Sequence, residues 1–162
     1  MLNKDPRFPG AVLVTLIIAM LLTLIPLGDY WSLWRPEWIA LTLVHWALII
    51  QDRLSLGLAF VTGLIIDTLY GSILGQHALG FIVVAYVAVR LSFRMSPESF
   101  LQQIALLVVS VGLYMLINLW IQGFTGNRLG GLVYWQPLLS SIMVWPIYHA
   151  LLGYFYIQRK IL

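Results

Sequence analysis

Long apolar runs separated by short polar punctuation dominate this chain, and the punctuation predicts where helices begin and end. The first run is interrupted by Pro26 and Gly28, which places helix one over about Phe8 to Leu27. Pro36 suits the first turn of a second helix, over about Pro36 to Ile50, because its missing N–H costs nothing there. That helix is short for a membrane span of roughly 20 residues. It must tilt little, thin the bilayer locally or lean on protein. Gln51, Asp52 and Arg53 make a charged turn, and helix three follows over about Leu54 to Tyr70. Gly71 to Gln76 is a glycine-rich reversal into helix four, which runs to about Phe93. Ser96, Pro97 and Glu98 have the character of a helix start, with a cap, a first-turn proline and an acid on the dipole. Helix five then reaches about Gln122. The polar loop GFTGNRLGG leads to helix six, over about Trp135 to Ile157, with Pro146 expected to bend it.

One stretch breaks the apolar pattern in a telling way. Steps of four through helix three give Ser55, Ala59, Gly63, Asp67, Gly71 and Gly75. Residues at i and i+4 stack on one helix face, so this is a ridge almost without side-chain bulk, carrying one acid. Ridges of small residues let helix backbones approach closely in a bilayer. A carboxylate at such a depth costs about 2.5–3.5 kcal/mol on insertion scales unless it is paired or neutralised. Asp67 lies about 13 residues into its helix, so ~20 Å from the inner end. Three roles stay open for it: locking helix packing, contacting a partner or polar groove, or carrying protons. No second carboxylate within the spans supplies a proton path. Gly63 and Gly71 are expected to have no free volume around them.

Composition sharpens the class. The chain has 162 residues, 61% hydrophobic and only 9% charged, against about 25% charged in an ordinary soluble domain. The expectation is an all-α polytopic membrane protein, with residues 1–162 forming one six-helix domain. Lys4 and Arg7 before the first apolar run look like the start of a signal peptide, but a small-x-small cleavage site near Gly28 is missing. The first helix is therefore read as a retained anchor. With the N-terminus inside, seven basic residues (Lys4, Arg7, Arg53, Arg90, Arg94, Arg159 and Lys160) fall inside, against Arg35 and Arg128 outside. That asymmetry predicts cytoplasmic N- and C-termini. Trp31, Trp34, Trp38, Trp120 and Trp135 fall at the outer interface, where indoles favour the headgroup level. The charge of +3 is scattered, which excludes the clustered basic face of a nucleic-acid binder.

Candidate chemistry is sparse. There are no cysteines, no H-x3-H metal pair and no G-x-S-x-G elbow, so no catalytic residue, metal or cofactor is expected. His45, Tyr114, Asn118 and Gln122 are the candidate polar partners of Asp67, because they lie at a similar depth on their helices. Neutral donors within the chain are preferred for it, Tyr70, Tyr114 and Asn118 among them. His149 reads as packing beside Pro146. Glu37 suits a helix dipole, which is the structural reading of this pair; an equally weighted reading has Arg35, beside Trp34 and Trp38, contact a lipid headgroup or a partner's acid. Gly71 to Gly80, with Gln76 and His77, lacks the lysine and spacing of a phosphate-binding loop, so a plain turn is the preferred reading.

Several of these features together resemble the MreD family, the small membrane component of the bacterial rod-shape system. The resemblance rests on RPEW at Arg35 to Trp38 and on the G-x3-D-x3-G-x3-G pattern at Gly63, Asp67, Gly71 and Gly75, with Leu74 before the last glycine. It rests also on Trp145-Pro146 and on the basic end at Arg159 and Lys160. It implies a non-enzymatic scaffold of cell-wall elongation in the cytoplasmic membrane. The partners it implies are MreC, RodA with its penicillin-binding transpeptidase, and MreB directly or indirectly, besides membrane lipids. Gly63, Asp67, Gly71, Gly75, Arg35 and Trp38 become the partner-binding or packing candidates. The resemblance also implies kinship with the six-helix substrate-binding components of vitamin transporters. That kinship keeps an alternative open, a binding or transport module for a small molecule or lipid precursor.

Overall fold

A computed structural model of the chain describes residues 8–50, 54–95, 99–124 and 131–161. The charged turn at Gln51 to Arg53, the Ser96-Pro97-Glu98 start and most of the GFTGNRLGG loop lie outside these residues, as do Lys4 and Arg7. The described residues are helical, without strands. In order they form α1 (Phe8–Leu24), α2 (Asp29–Ser32), α3 (Trp38–Ile50), α4 (Leu56–Tyr70), α5 (Gln76–Ser92), α6 (Phe100–Phe124), a 3-10 turn (Gly131–Trp135) and α7 (Gln136–Ile161). Among them α6 is the one helix both long and apolar enough to cross a membrane by itself; the others that qualify by apolarity are shorter.

The shortest of the long helices is the centre of the bundle. Every residue of α3 from Ile39 to Leu48 is buried, and α3 packs against α1, α5, α6 and α7. An apolar sequence with no polar face, WIALTLVHWALII, suits a helix covered on all sides. Its start is two residues later than the proline suggests, because Pro36 and Glu37 form an irregular entry segment. Helix one ends early as well, at Leu24, ahead of Pro26.

Interhelical hydrogen bonds pin the bundle at several levels. The Trp46 indole donates to Thr15 Oγ1 at 2.8 Å, joining α3 to α1. Thr42 and Tyr148 share a hydroxyl contact of 2.7 Å between α3 and α7. His45 and His149 meet through their Nδ1 atoms at 2.9 Å, in the same interface. Gln76 Nε2 donates to Asn118 Oδ1 at 2.9 Å, joining α5 to α6, and Trp145 Nε1 donates to Gln103 Oε1 at 3.0 Å, joining α7 to α6. Burying these polar groups costs free energy unless they are paired, so each bond also fixes helix register. α7 runs through Pro146, which faces outward, while Trp145 beside it is buried.

The small-residue ridge is real over part of its length only. A Cβ on Gly63 would sit 2.1 Å from Ala78 Cα, so the α4 and α5 backbones touch there. Ala59 is buried on the same face. Ser55 instead precedes the helix as its cap, accepting from the Leu58 N–H. Gly71 and Gly75 lie beyond the helix end. They carry φ of 62° and 99° and have open space where a Cβ would go. The expectation of crowding at Gly71 is therefore corrected: glycine is required there for the left-handed backbone, not for volume. A second tight glycine, Gly80 of α5, had no place on the ridge; its Cβ would meet Tyr114 Cδ2 at 2.6 Å.

Candidate functional site

The chemistry collects at one end of the bundle, where α4 and α6 end and where α3, α5 and α7 begin. Asp67 sits in the last turn of α4 and is wholly buried. Its Oδ1 accepts from Ser72 Oγ at 2.8 Å, from the His77 N–H at 2.9 Å and from His77 Nδ1 at 2.7 Å. Its Oδ2 accepts from the Gly75 N–H at 2.8 Å and from the Ala78 N–H at 3.4 Å. An ionised carboxylate only accepts, so Nδ1 of His77 carries the proton in this contact. The Asp67 carbonyl also receives the Ser72 N–H at 3.1 Å.

The cause of this arrangement is the turn. Left-handed Gly71 ends α4, and left-handed Gly75 opens α5, so the reversal aims the first N–H groups of α5 back at α4. Orphan N–H groups at a helix start form a positive, donor-rich cradle for an anion. The glycine-rich segment is thus the expected turn between two helices, and its amides hold the chain's own Asp67. Asp67 therefore does not pair with His45, Tyr114, Asn118 or Gln122, nor with Tyr70. His45 bonds His149. Asn118 accepts from Gln76 and donates to the Tyr114 carbonyl at 3.0 Å. The partners that sequence reasoning missed are Ser72, His77 and backbone amides. The available signal was an acid one turn before a glycine-rich reversal that opens a helix.

Arg35 is equally committed to the chain. Its guanidinium donates to the carbonyls of Thr23 and Ile25 at the end of α1 and lies 3.4 Å from the Tyr70 hydroxyl, which itself donates to the Thr23 carbonyl at 2.8 Å. A cation on the last carbonyls of a helix completes them and matches the dipole. Trp38 is half-buried, its ring 5.5 Å from that of Tyr148, so it too packs within the chain.

Tyr114, Asn118 and Gln122 do come together, around something else. With Glu37, His77 and Tyr134 they line a cavity of about 500 Å³. A smaller recess of about 130 Å³ adjoins it, reaching Arg35 and Tyr70 and sharing Glu37, His77 and Tyr114 as walls. Glu37 stands in the entry segment ahead of α3, its N–H donating to Ser141 Oγ at 3.0 Å. Burial pushes its carboxyl up to about 7, against the pull of the Tyr114 hydroxyl bonded to it and of the nearby Arg35 charge. No cluster of metal-ligating side chains occurs among the described residues.

Comparison with known proteins adds the family. The family described as rod shape-determining protein MreD matches residues 7–155. A relative from Haemophilus influenzae, named rod shape-determining protein MreD, is 28% identical over 138 residues, covering 83% of this chain and 83% of its own length. No solved structure matches. A family match that spans all the helices described above, from α1 into α7, settles membership: the chain belongs to the MreD family of rod shape-determining proteins.

Proposed function

We propose that the protein is a non-enzymatic membrane scaffold of the bacterial cell-wall elongation machinery, maintaining rod shape by binding MreC and the peptidoglycan synthase complex. One observation carries the reading alongside family membership: the bundle has the polarity of a membrane protein. Its outward residues are apolar, as with Leu13, Ile17 and Leu21 on α1 and Met143, Ile147 and Leu151 on α7. Its polar residues Asp67, His45, Asn118 and Thr42 are buried and bonded within. Lipid favours that inversion and water opposes it.

In this reading α1 and α3 to α7 are the six spans of a multi-pass protein of the cytoplasmic membrane, with both termini cytoplasmic, and the Asp67 end faces outward. RodA, its penicillin-binding transpeptidase and MreB join directly or through MreC. Gly63, Asp67, Gly71, Gly75, Arg35 and Trp38 act as packing residues that hold the scaffold's shape. Their contacts within the chain favour that role over direct partner contact.

Two experiments test this. A periplasm-active reporter fused after Lys160 is expected to be silent while a cytoplasm-active one works; the reverse ends the six-span arrangement. Mild-detergent purification from cells is expected to retain MreC, and its consistent absence under crosslinking would end the scaffold reading. The cavity favours a second reading, a module that binds a small molecule or lipid precursor, akin to the vitamin-transporter components. The two are compatible in one protein.

A further inference from the structure

The large cavity has a chemistry that selects its occupant. Its wall sets one carboxyl, Glu37, among neutral hydrogen-bonding groups: the phenols of Tyr114 and Tyr134 and the amides of Asn118 and Gln122. Among the described residues Glu37 has no ion-pair partner; the carboxylate–imidazole contact found there joins Asp67 to His77. Arg35 lies near but spends its guanidinium on the end of α1. The imidazole of His77 also reaches the wall, and its Nδ1 is held by the Asp67 carboxylate at 2.7 Å. The Asp67 carboxylate is already engaged with His77, while no ion-pair partner meets the Glu37 carboxyl among the described residues. Among the described residues no arginine or lysine lines the cavity, so an anion entering it would face Glu37. A cation would find a carboxyl and tyrosine rings, whose faces attract positive charge. Leu33, Met115 and Val133 supply apolar wall, and the volume lies in the range of small-ligand sites.

We infer that this cavity is a binding site for a small organic cation, an ammonium group that pairs with the Glu37 carboxyl on an apolar body that packs against Leu33, Met115 and Tyr134. The site goes beyond the scaffold role and does not depend on it. Two sources carry this chemistry: the ethanolamine headgroup of a membrane lipid and a free amphipathic amine. Because His77 belongs both to this wall and to the Asp67 cradle, an occupant also touches the α4–α5 turn through one side chain.

The test uses the full chain purified in detergent, with phenethylamine as the cation, phenethyl alcohol as its neutral counterpart and phenylacetate as the anion. Titration calorimetry is expected to give saturable phenethylamine binding, one per chain, with the alcohol and the acid weaker by about tenfold or more. Glu37→Gln is expected to remove that preference. Leu33→Trp leaves Glu37 in place but fills the cavity, and is expected to abolish binding; it carries the test alone if Glu37→Gln does not fold. Nanodiscs of phosphatidylethanolamine and of phosphatidylglycerol, with the same acyl chains, separate the two sources. A higher Tm in phosphatidylethanolamine that Glu37→Gln erases, with phenethylamine competing, assigns the lipid headgroup. Equal Tm in both lipids with undiminished phenethylamine binding assigns a free amine. Equal affinity for amine and alcohol, binding unchanged in both variants, or no saturable binding with no lipid preference overturns the inference.

Discussion

Two carboxyls stand at the same end of this bundle, and the chain treats them in opposite ways. Asp67 is met by five donors, from Ser72, Gly75, His77 and Ala78. Glu37 has a tyrosine hydroxyl and a cavity. Asp67 is wholly buried and Glu37 half-buried, but burial alone does not separate a structural acid from one available for other work. The difference lies in the donors around each. A fully satisfied buried carboxylate fixes geometry and has little left to offer a ligand; one short of donors keeps binding capacity. Asp67 closes the α4–α5 hairpin as a staple from one helix end to the next helix start. Glu37 belongs to an entry segment whose backbone is held elsewhere, by Ser141.

The largest effects should come from the hairpin. Asp67→Leu strands the Ser72 hydroxyl, the His77 ring and the first amides of α5 without an acceptor, at about 1–3 kcal/mol for each buried donor. Membrane level in cells lacking the native copy is expected to collapse. Gly63→Leu should be comparably severe, since even a first carbon collides with the Ala78 backbone, and overpacking costs about 1–3 kcal/mol or more. Near-normal protein level and Tm in either variant would mean that the hairpin is not the rigid half of the comparison. Asp67→Asn should fall between these and wild type. The amide keeps one acceptor but turns an NH₂ toward backbone N–H groups, leaving roughly one bond's worth unsatisfied, about 1–3 kcal/mol. Equal loss in Asp67→Asn and Asp67→Leu would mean that the negative charge outweighs the hydrogen bonds.

Much of this was legible in the sequence, and the gaps have physical causes. Helix positions followed from proline, glycine and apolar runs, and the acid in a small-residue segment marked the tightest place. Counting in fours past Tyr70 failed because the helix stops there: Gly71 and Gly75 share the spacing of Gly63 but serve the turn. The partners of Asp67 were missed because backbone amides leave no residue signature, and His77 was read as part of a loop. Tyr114, Asn118 and Gln122 were singled out for depth, and they do converge, but on Glu37 and a cavity. Only the packing of α3, α5, α6 and α7 brings that cavity into being. The four-residue helix α2, which contributes to it, is too short for periodicity to reveal.

A smaller effect is expected at the turn itself. Gly71→Ala meets no neighbour, so its cost is that of a left-handed backbone for an L-residue, about 1–2 kcal/mol. Gly71→Asn should recover part of that, because asparagine tolerates this conformation. Thermal unfolding of the purified variants checks the order wild type, then asparagine, then alanine. If Gly71→Ala were as damaging as Gly63→Leu, the space around the turn would have to be filled in the folded protein.

The smallest effect on stability is expected at Glu37. Glu37→Gln keeps an oxygen for the Tyr114 hydroxyl, keeps nearly the same shape and breaks no ion pair among the described residues. The carboxyl is also costly to ionise where it stands, being pushed up to about 7 by burial, so a neutral side chain there forfeits little. The bonds that hold the surrounding segment, Arg35 to α1 and the Glu37 N–H to Ser141, do not involve the side chain that changes. A change in unfolding free energy below about 1 kcal/mol is expected, the range of one neutral hydrogen bond. Side-by-side thermal unfolding of Glu37→Gln and Asp67→Asn is the sharpest form of the comparison, since each replaces one carboxyl by its amide. A loss at Glu37 equal to that at Asp67 would make both acids structural, and the difference in their donors would then carry no meaning for function.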